Sequence, residues 1–515
     1  MRRIVRIVCL NHIENERTSV TSRTAIGATW MVAWRMVTRG LGLISTLILA
    51  RLLVPADFGL VAFATSFAAA IDSLSELGLQ AALVRKPDND RSLYDTAFTM
   101  QAIRGLVTGA ILAMGAWVSS TWLGDERLMP MLMVLAAVAA VAGFDNIAVV
   151  KFQRELRFDL EFRLLFVPRV LQFVIATGAA FTLRSYWALI IGVVVGRLSR
   201  LVMTYWVQPH RPRLTLSRWR ELAGFSFWSW ASSMAYMIWN RCDAFVLGPV
   251  LGMGQLGIFM LSMEIGLLPT SELVDPAARA LYAGVAAAQN RGTDPITLAL
   301  PLMAMLLMLV VPIGLGISAT SGYVVAALLG PTWAIGRPVI AMFALLSMIT
   351  PVTFVAATVL NAAGHVRQNF VAVAGSAALR VFAVCAVSSY RRLDWAALTI
   401  CGVVAMEGLI FLVQLSRRGR LRWGEVLPSV CRTASSCAAM AGFLWATGLG
   451  WQEVEMPSLA ALPIGGAIGL GCILGSISLQ VVFWICVGRP RGPEATLIGI
   501  ASDFATKVQL RVRLT

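Results

Sequence analysis

Apolar runs follow one another along the whole chain, separated by short polar stretches, and each is about as long as the ~20 residues that carry a helix across a bilayer core. They predict membrane-spanning helices near 28–50, 58–84, 96–118, 128–150, 162–183, 186–206, 222–248, 256–280, 297–318, 335–360, 368–389, 395–414, 430–450 and 461–487. That makes about fourteen, with no room left for a separate water-soluble domain. The fold class expected is therefore an all-α polytopic membrane protein.

Composition supports the same class: 58% of the 515 residues are hydrophobic and 14% are charged, with a mean hydropathy of +0.75, far from a soluble globular domain. The opening "MRRIVRIVCLNHIENERTS" is basic, but its apolar stretch is short, is broken by Arg6 and ends in charge rather than in a small-residue cleavage site. It reads as a retained tail, residues 1–24. The net charge of +16 is distributed by topology. With both termini in the cytoplasm, roughly 27 basic residues fall in inside segments and about 6 in outside ones, as the positive-inside rule requires. The charge then serves orientation and attraction to anionic headgroups, and a nucleic-acid partner is not implied.

The eight cysteines show no C-x-x-C spacing and most lie inside predicted spans, as small buried apolar residues do. The histidines, His12, His210 and His365, are isolated, so neither a metal nor another cofactor is expected. Internal repetition is visible. "ARLLVPADFGLVAF" from Ala50 and "GPVLGMGQLGIFML" from Gly248 share a Pro- or Gly-rich turn, a polar residue (Asp57, Gln255), an apolar one (Phe58, Leu256) and a glycine (Gly59, Gly257). Each lies between two spans, the first pair and the seventh pair. A shift by six helices keeps orientation, so the pattern predicts two lobes related by an axis along the membrane normal. The alternative is that two hairpin turns share Gly-rich chemistry without common origin. The expected lobes are 25–206 and 222–415, joined by a cytoplasmic linker, 207–221, that carries "PHRPRLTLSRWRE"; a basic loop with two further spans (416–487) and a tail (488–515) follow.

These stretches, with "SELGLQAALVRK", "NRCDAFVLGPVLGMGQLGIF", "LLPTSELVDPAARALY", "LLGPTWAIGRPVI" and "VLNAAGHVRQNF", resemble the polysaccharide transporters, including Wzx-type lipid-linked oligosaccharide flippases, of the multidrug/oligosaccharidyl-lipid/polysaccharide (MOP) exporter superfamily. The resemblance covers about residues 25–420. It implies a V-shaped bundle of two six-helix lobes that moves an undecaprenyl-diphosphate-linked glycan from the inner to the outer leaflet of a bacterial inner membrane by alternating access. It also implies a partner polymerase and chain-length or export machinery. The last two spans lie outside the common twelve-helix core.

Charged residues inside spans are candidates for function, because bare charge in hydrocarbon costs at least a few kcal/mol and must find a partner or water. Asp72 and Glu76 share a helix face, and Arg35 and Arg39 repeat that spacing on the first span. Folding the two spans as a hairpin brings Arg39 level with Asp72 and Arg35 level with Glu76. The pairs form a packing ladder, an ion-pair device lining the transport path, or a site whose carboxylates couple an ion. Arg104, Arg169, Arg197, Arg241 and Arg380 lack an obvious local partner, since Asp243 points away from Arg241 on a helix. Singly each fits a snorkelling or structural arginine; together they suit a diphosphate, which guanidinium binds in bidentate fashion. Glu264 and Glu407 are the candidate coupling carboxylates. Coupling is not required, because each negative charge moving outward in an inside-negative cell gains about 2.3 kcal/mol per 100 mV. Trp239, near mid-span, is the aromatic best placed to stack on a sugar; Trp228 and Trp230 lie closer to the span end, where tryptophan anchors at the interface. Pro168, Pro269, Pro276, Pro312 and Pro351 mark kinks or hinges.

Enzyme readings find little. There is no G-x-x-x-x-G-K-[ST] phosphate loop. "DND" at 88–90 imitates the paired acids of a glycosyltransferase but sits in a loop of about ten residues with no catalytic domain around it, and no long external loop suggests a polymerase. The harder rival is a cation-coupled multidrug exporter of the same two-lobed fold, which needs an acidic lumen where this chain offers arginine.

Overall fold

The computed structural model describes residues 37–74, 79, 83, 90–154, 157–222, 227–289, 296–362, 364, 366–418, 423–454, 456, 458–490 and 492–495. Among them every regular element is helical. Among the described residues eight helices are long and apolar enough to cross a membrane, and up to ten if each of two bent pairs is one span. Leu128–Ala142 is apolar but shorter. The chain is a multi-pass membrane protein with two compact units, residues 1–53 with 64–230, and 54–63 with 231–515.

In the first unit lie α1 (37–52), most of α2 (Pro55–Leu74), α3 (Arg91–Leu123), α4 (Leu128–Ala142), α5 (Phe158–Leu183) and α6 (Trp187–Val207). In lipid, apolar helices gain nothing by hiding from the solvent around them, so close packing of small residues brings them together. At the α3–α4 crossing the backbones approach so closely that a Cβ on Gly105 would stand 2.6 Å from the Gly143 Cα. The segment after α6 is irregular and runs back over α3. The Asp95 carboxylate accepts the backbone N–H of Arg213 at 3.1 Å, Thr99 Oγ1 that of Thr215 at 2.9 Å, and Asn146 donates to the carbonyls of Gln208 and His210 at 2.9 and 3.0 Å.

The second unit holds the first turns of α2, then α7 (Phe227–Leu251, from Ala231 on), α8 (Met253–Gly266), α9 (Asp275–Gln289), α10 (Ile296–Ala319), α11 (Arg337–Ser347), α12 (Thr350–Ala362), α13 (Val366–Ser388) and α14 (Leu393–Arg418). Two stretches that read as continuous spans, 256–280 and 335–360, are bent. Met253–Gly266 meets Thr270–Tyr282 at 49°, and Pro331–Ser347 meets Thr350–Ala362 at 46°. Pro269 and Pro351 stand at the breaks, and the first break continues into a π-turn, Thr270–Val274. The bends are joined by a 2.7 Å hydrogen bond between the hydroxyls of Thr270 and Thr350. Pro168 and Pro312, by contrast, sit within uninterrupted helices.

The two repeated turns meet inside this unit, and the contact is reciprocal. A Cβ on Gly59 would strike the Met253 carbonyl and stand 2.8 Å from the Gly257 nitrogen; one on Gly257 would strike the Pro55 carbonyl and stand 2.7 Å from the Gly59 nitrogen. Pro55 corresponds to Met253 by the offset that relates Gly59 to Gly257, so each repeat presents the same surface to the other, as a two-fold contact requires.

The last two helices, α15 (Trp423–Ala446) and α16 (Ser458–Cys486), dock on α10. Cys437, Leu444 and Cys472 pack against Leu315 and Ala319. The Trp451 backbone N–H caps the Ala319 carbonyl at 2.8 Å and its indole donates to Ser318 at 3.1 Å. Buried Gln480 donates to Thr433 at 2.7 Å, and buried Arg432 grips fully buried Glu494 at 2.9 and 3.1 Å.

Candidate functional sites in the two units

In the second unit the sequence candidates converge. Asp243 on α7 is fully buried, and Arg380 on α13 is 3% exposed. The guanidinium meets the carboxylate in bidentate fashion, Nε to Oδ1 at 3.1 Å and Nη2 to Oδ2 at 2.5 Å. Its flat face lies 4.6 Å from the centroid of the Trp239 ring, an arrangement that adds attraction without consuming a hydrogen bond. Trp239 sits one helical turn before Asp243 on the same face of α7, and its indole N–H donates to Glu407 on α14 at 3.0 Å. A chain of polar contacts thus runs Asp243, Arg380, Trp239, Glu407 across three spans. One turn away, Tyr236 accepts from Asn369 of α13 at 3.3 Å. Of the remaining candidates here, Arg241 is exposed, directed away from Asp243 as the helix geometry predicts, and Glu264 is exposed on α8.

In the first unit Asp72 is bonded by Arg104 of α3 at 3.2 Å, with side chains 57% and 27% exposed. The hairpin argument assigned Asp72 to Arg39; the structure adds a partner from a third helix. The Nε of Arg104 is buried and makes no hydrogen bond. Arg39, on α1, is half-buried. One turn further along α1, Gly42 leaves room for Arg169 of α5, whose Nη2 would stand 2.8 Å from a Cβ there. Arg169 donates to Gln172 at 3.3 Å, and the Gln172 oxygen in turn lies against Gly196 of α6, beside exposed Arg197. Arg35 and Glu76 lie outside the described residues, as do Asp88 and the loop around it. Since an exposed guanidinium does not rest in acyl chains, Arg169 and Arg197 require water or an anion at their faces.

Sequence reasoning treated Arg104 and Arg380 as unpartnered, and their carboxylates stand 32 and 137 positions away. It named Glu407 only as a coupling candidate and missed its bond to Trp239. It missed Arg200 of α6, whose Nε lies 3.4 Å from Asp145. A carboxylate just past the end of α4 and an arginine inside α6 were the available signal, but nothing in the linear pattern joined them. No group of three or more His, Cys, Asp or Glu side chains able to hold a metal occurs among the described residues.

Residues 48–336 match the family described as "Polysaccharide biosynthesis protein". The chain belongs to this family. Among its curated relatives, the succinoglycan biosynthesis transport protein ExoT of Rhizobium meliloti (strain 1021) is 25% identical over 61% of this chain and 64% of its own length. The lipopolysaccharide biosynthesis protein WzxC of Escherichia coli (strain K12) is 21% identical over 68% of this chain and 72% of its own. The chain thus spans a little under two thirds of the first of these family relatives. Two solved structures share its fold. A lipid II flippase MurJ in an inward closed conformation superposes with a TM-score of 0.70 at 12% identity, covering 88% of this chain and 98% of that one. An inward-facing multidrug resistance MATE family transporter of the MOP superfamily gives 0.58 at 16%, covering 74% and 95%. These likenesses show the fold, an all-helical polytopic bundle like that of these two transporters.

Proposed function

We propose that the chain is a flippase that carries an undecaprenyl-diphosphate-linked oligosaccharide from the inner to the outer leaflet of a bacterial inner membrane, for assembly of an extracellular polysaccharide. It works without catalysing a covalent step, as two lobes, residues 25–206 and 222–415, that alternate access, with both termini in the cytoplasm. The observation that carries the reading is the match of residues 48–336 to a polysaccharide biosynthesis family on a chain with the fold of a lipid II flippase. Intramembrane arginines supply what a diphosphate headgroup needs: Arg39, Arg104, Arg169 and Arg197 come from four helices of the first unit, and none has an acidic residue three or four positions away on its own helix. A polymerase and chain-length machinery receive the product.

The drug-exporter reading needs a membrane-buried acid free to take a cation. Among the described residues, fully buried Asp243 is already neutralised by Arg380 and buried Glu407 is engaged by the Trp239 indole, which favours the anionic cargo. Deleting the gene in its native host and extracting lipids tests the proposal. Lipid-linked oligosaccharide should accumulate, inaccessible to a membrane-impermeant glycan-oxidising label, while surface polymer falls. Normal surface polymer with no accumulated intermediate would overturn it.

A further inference from the structure

We propose that residues 208–221 form a strap that binds anionic phospholipid headgroups at the membrane surface, independently of the transported substrate. The segment leaves the apolar span α6 at Val207 and ends before α7 begins at Phe227. One side is committed to the protein. Backbone groups of Gln208, His210, Arg213 and Thr215 are held by Asn146, Asp95 and Thr99, and the His210 ring lies 3.2 Å from Asp95. His210 and Pro212 are half-buried against the protein, while Arg211 and Arg213 are exposed.

The other side is both basic and apolar. Leu214, Leu216 and Trp219 are 75%, 45% and 49% exposed, and the Arg220 guanidinium lies 5.7 Å from the Trp219 ring. The nearby carboxylates are occupied: Asp90 and Glu221 hold Arg218 at 2.7 and 2.6 Å, and Asp95 faces His210 and Arg91. Among the described residues Arg211, Arg213 and Arg220 pair with no carboxylate. Ser92 backbone and side-chain bonds, with Arg218 beside it, hold the Asp90 carboxyl below its ordinary range, so it stays charged and committed to Arg218. Large apolar side chains interleaved with free guanidinium groups at the end of a span suit one surroundings, acyl chains on one side and negative headgroups on the other.

The test is hydrogen–deuterium exchange on the full chain in nanodiscs of phosphatidylcholine alone and with one part in three of phosphatidylglycerol. Exchange of the peptide covering 209–221 should slow by roughly tenfold in the anionic discs, given three arginines near the surface, and the difference should vanish in 1 M salt. R211S/R213S/R220S should abolish it with exchange in α5 and α6 unchanged, and L214S/L216S should weaken it. Equal exchange of the wild type in both lipids would overturn the proposal. So would protection indifferent to lipid that appears only in discs holding two copies, which would give the face to a second chain.

Discussion

Replacing Arg380 with alanine removes two charge-assisted hydrogen bonds to Asp243 and the guanidinium that lies over Trp239. Asp243 is then left without a counter-ion at zero exposure, with only the weak Cys242 thiol at 3.5 Å still directed at it. Breaking one side of a buried ion pair costs about 3–5 kcal/mol, because the orphaned charge keeps its desolvation penalty. R380A should therefore lose about that much stability, and Asp243→Asn a comparable amount. The pair R380A/D243N should lose far less than the sum, with an interaction energy of at least ~2 kcal/mol. With the exposed Cys385, Cys431 and Cys486 replaced by serine, buried Cys242, Cys437 and Cys472 provide the assay, since they react with a thiol-specific fluorogenic dye as the chain unfolds. Singles that each cost less than ~1 kcal/mol, or a double equal to the sum of its singles, would refute the claim that Arg380 and Asp243 form one closed unit.

Three further outcomes follow from the same geometry. Gly59→Leu and Gly257→Leu should each block the reciprocal contact of the two repeated turns, where even a Cβ meets backbone; each should stop transport, while Gly254→Leu, with open space around it, should be tolerated, as a flipping assay on membrane-inserted protein would show. Arg104→Ala should reduce substrate transfer at least tenfold while leaving thermal stability within about 1 kcal/mol, because its pairing with Asp72 is half-exposed; a large stability loss with normal transfer by the folded fraction would make it a packing residue. Arg432→Ala should strand buried Glu494 and cost about 3 kcal/mol, read as early proteolysis after α16 with the rest of the chain intact.

The all-helical, membrane-spanning class was legible because twenty-residue apolar runs have few other uses, whereas of the roughly fourteen spans expected eight to ten stand as long apolar helices among the described residues. The two bends were half legible: Pro269 and Pro351 marked kinks, but the Thr270–Thr350 bond that joins them depends on how two distant segments lie side by side. The repeat around Gly59 and Gly257 was visible as a pattern. Its reciprocal contact was not, since a glycine that needs space and one that merely turns look alike in a sequence. Arginines and acids inside spans announced themselves through their cost, whereas their partners did not, because Arg104 with Asp72 and Arg380 with Asp243 are matched by helix packing rather than by spacing. The basic content of 208–221 was plain; the direction of each side chain followed only once Asp95 and Thr99 of α3 were seen to hold the backbone.

The measurement closest to the central claim is reconstitution of the purified chain in proteoliposomes loaded with a fluorescent undecaprenyl-diphosphate oligosaccharide, with transfer between leaflets read by quenching from one side. The account predicts transfer well above that of protein-free vesicles, lost in R104A. Absence of transfer by the folded wild type, together with proton-dependent export of cationic dyes, would contradict it and make the chain a drug exporter.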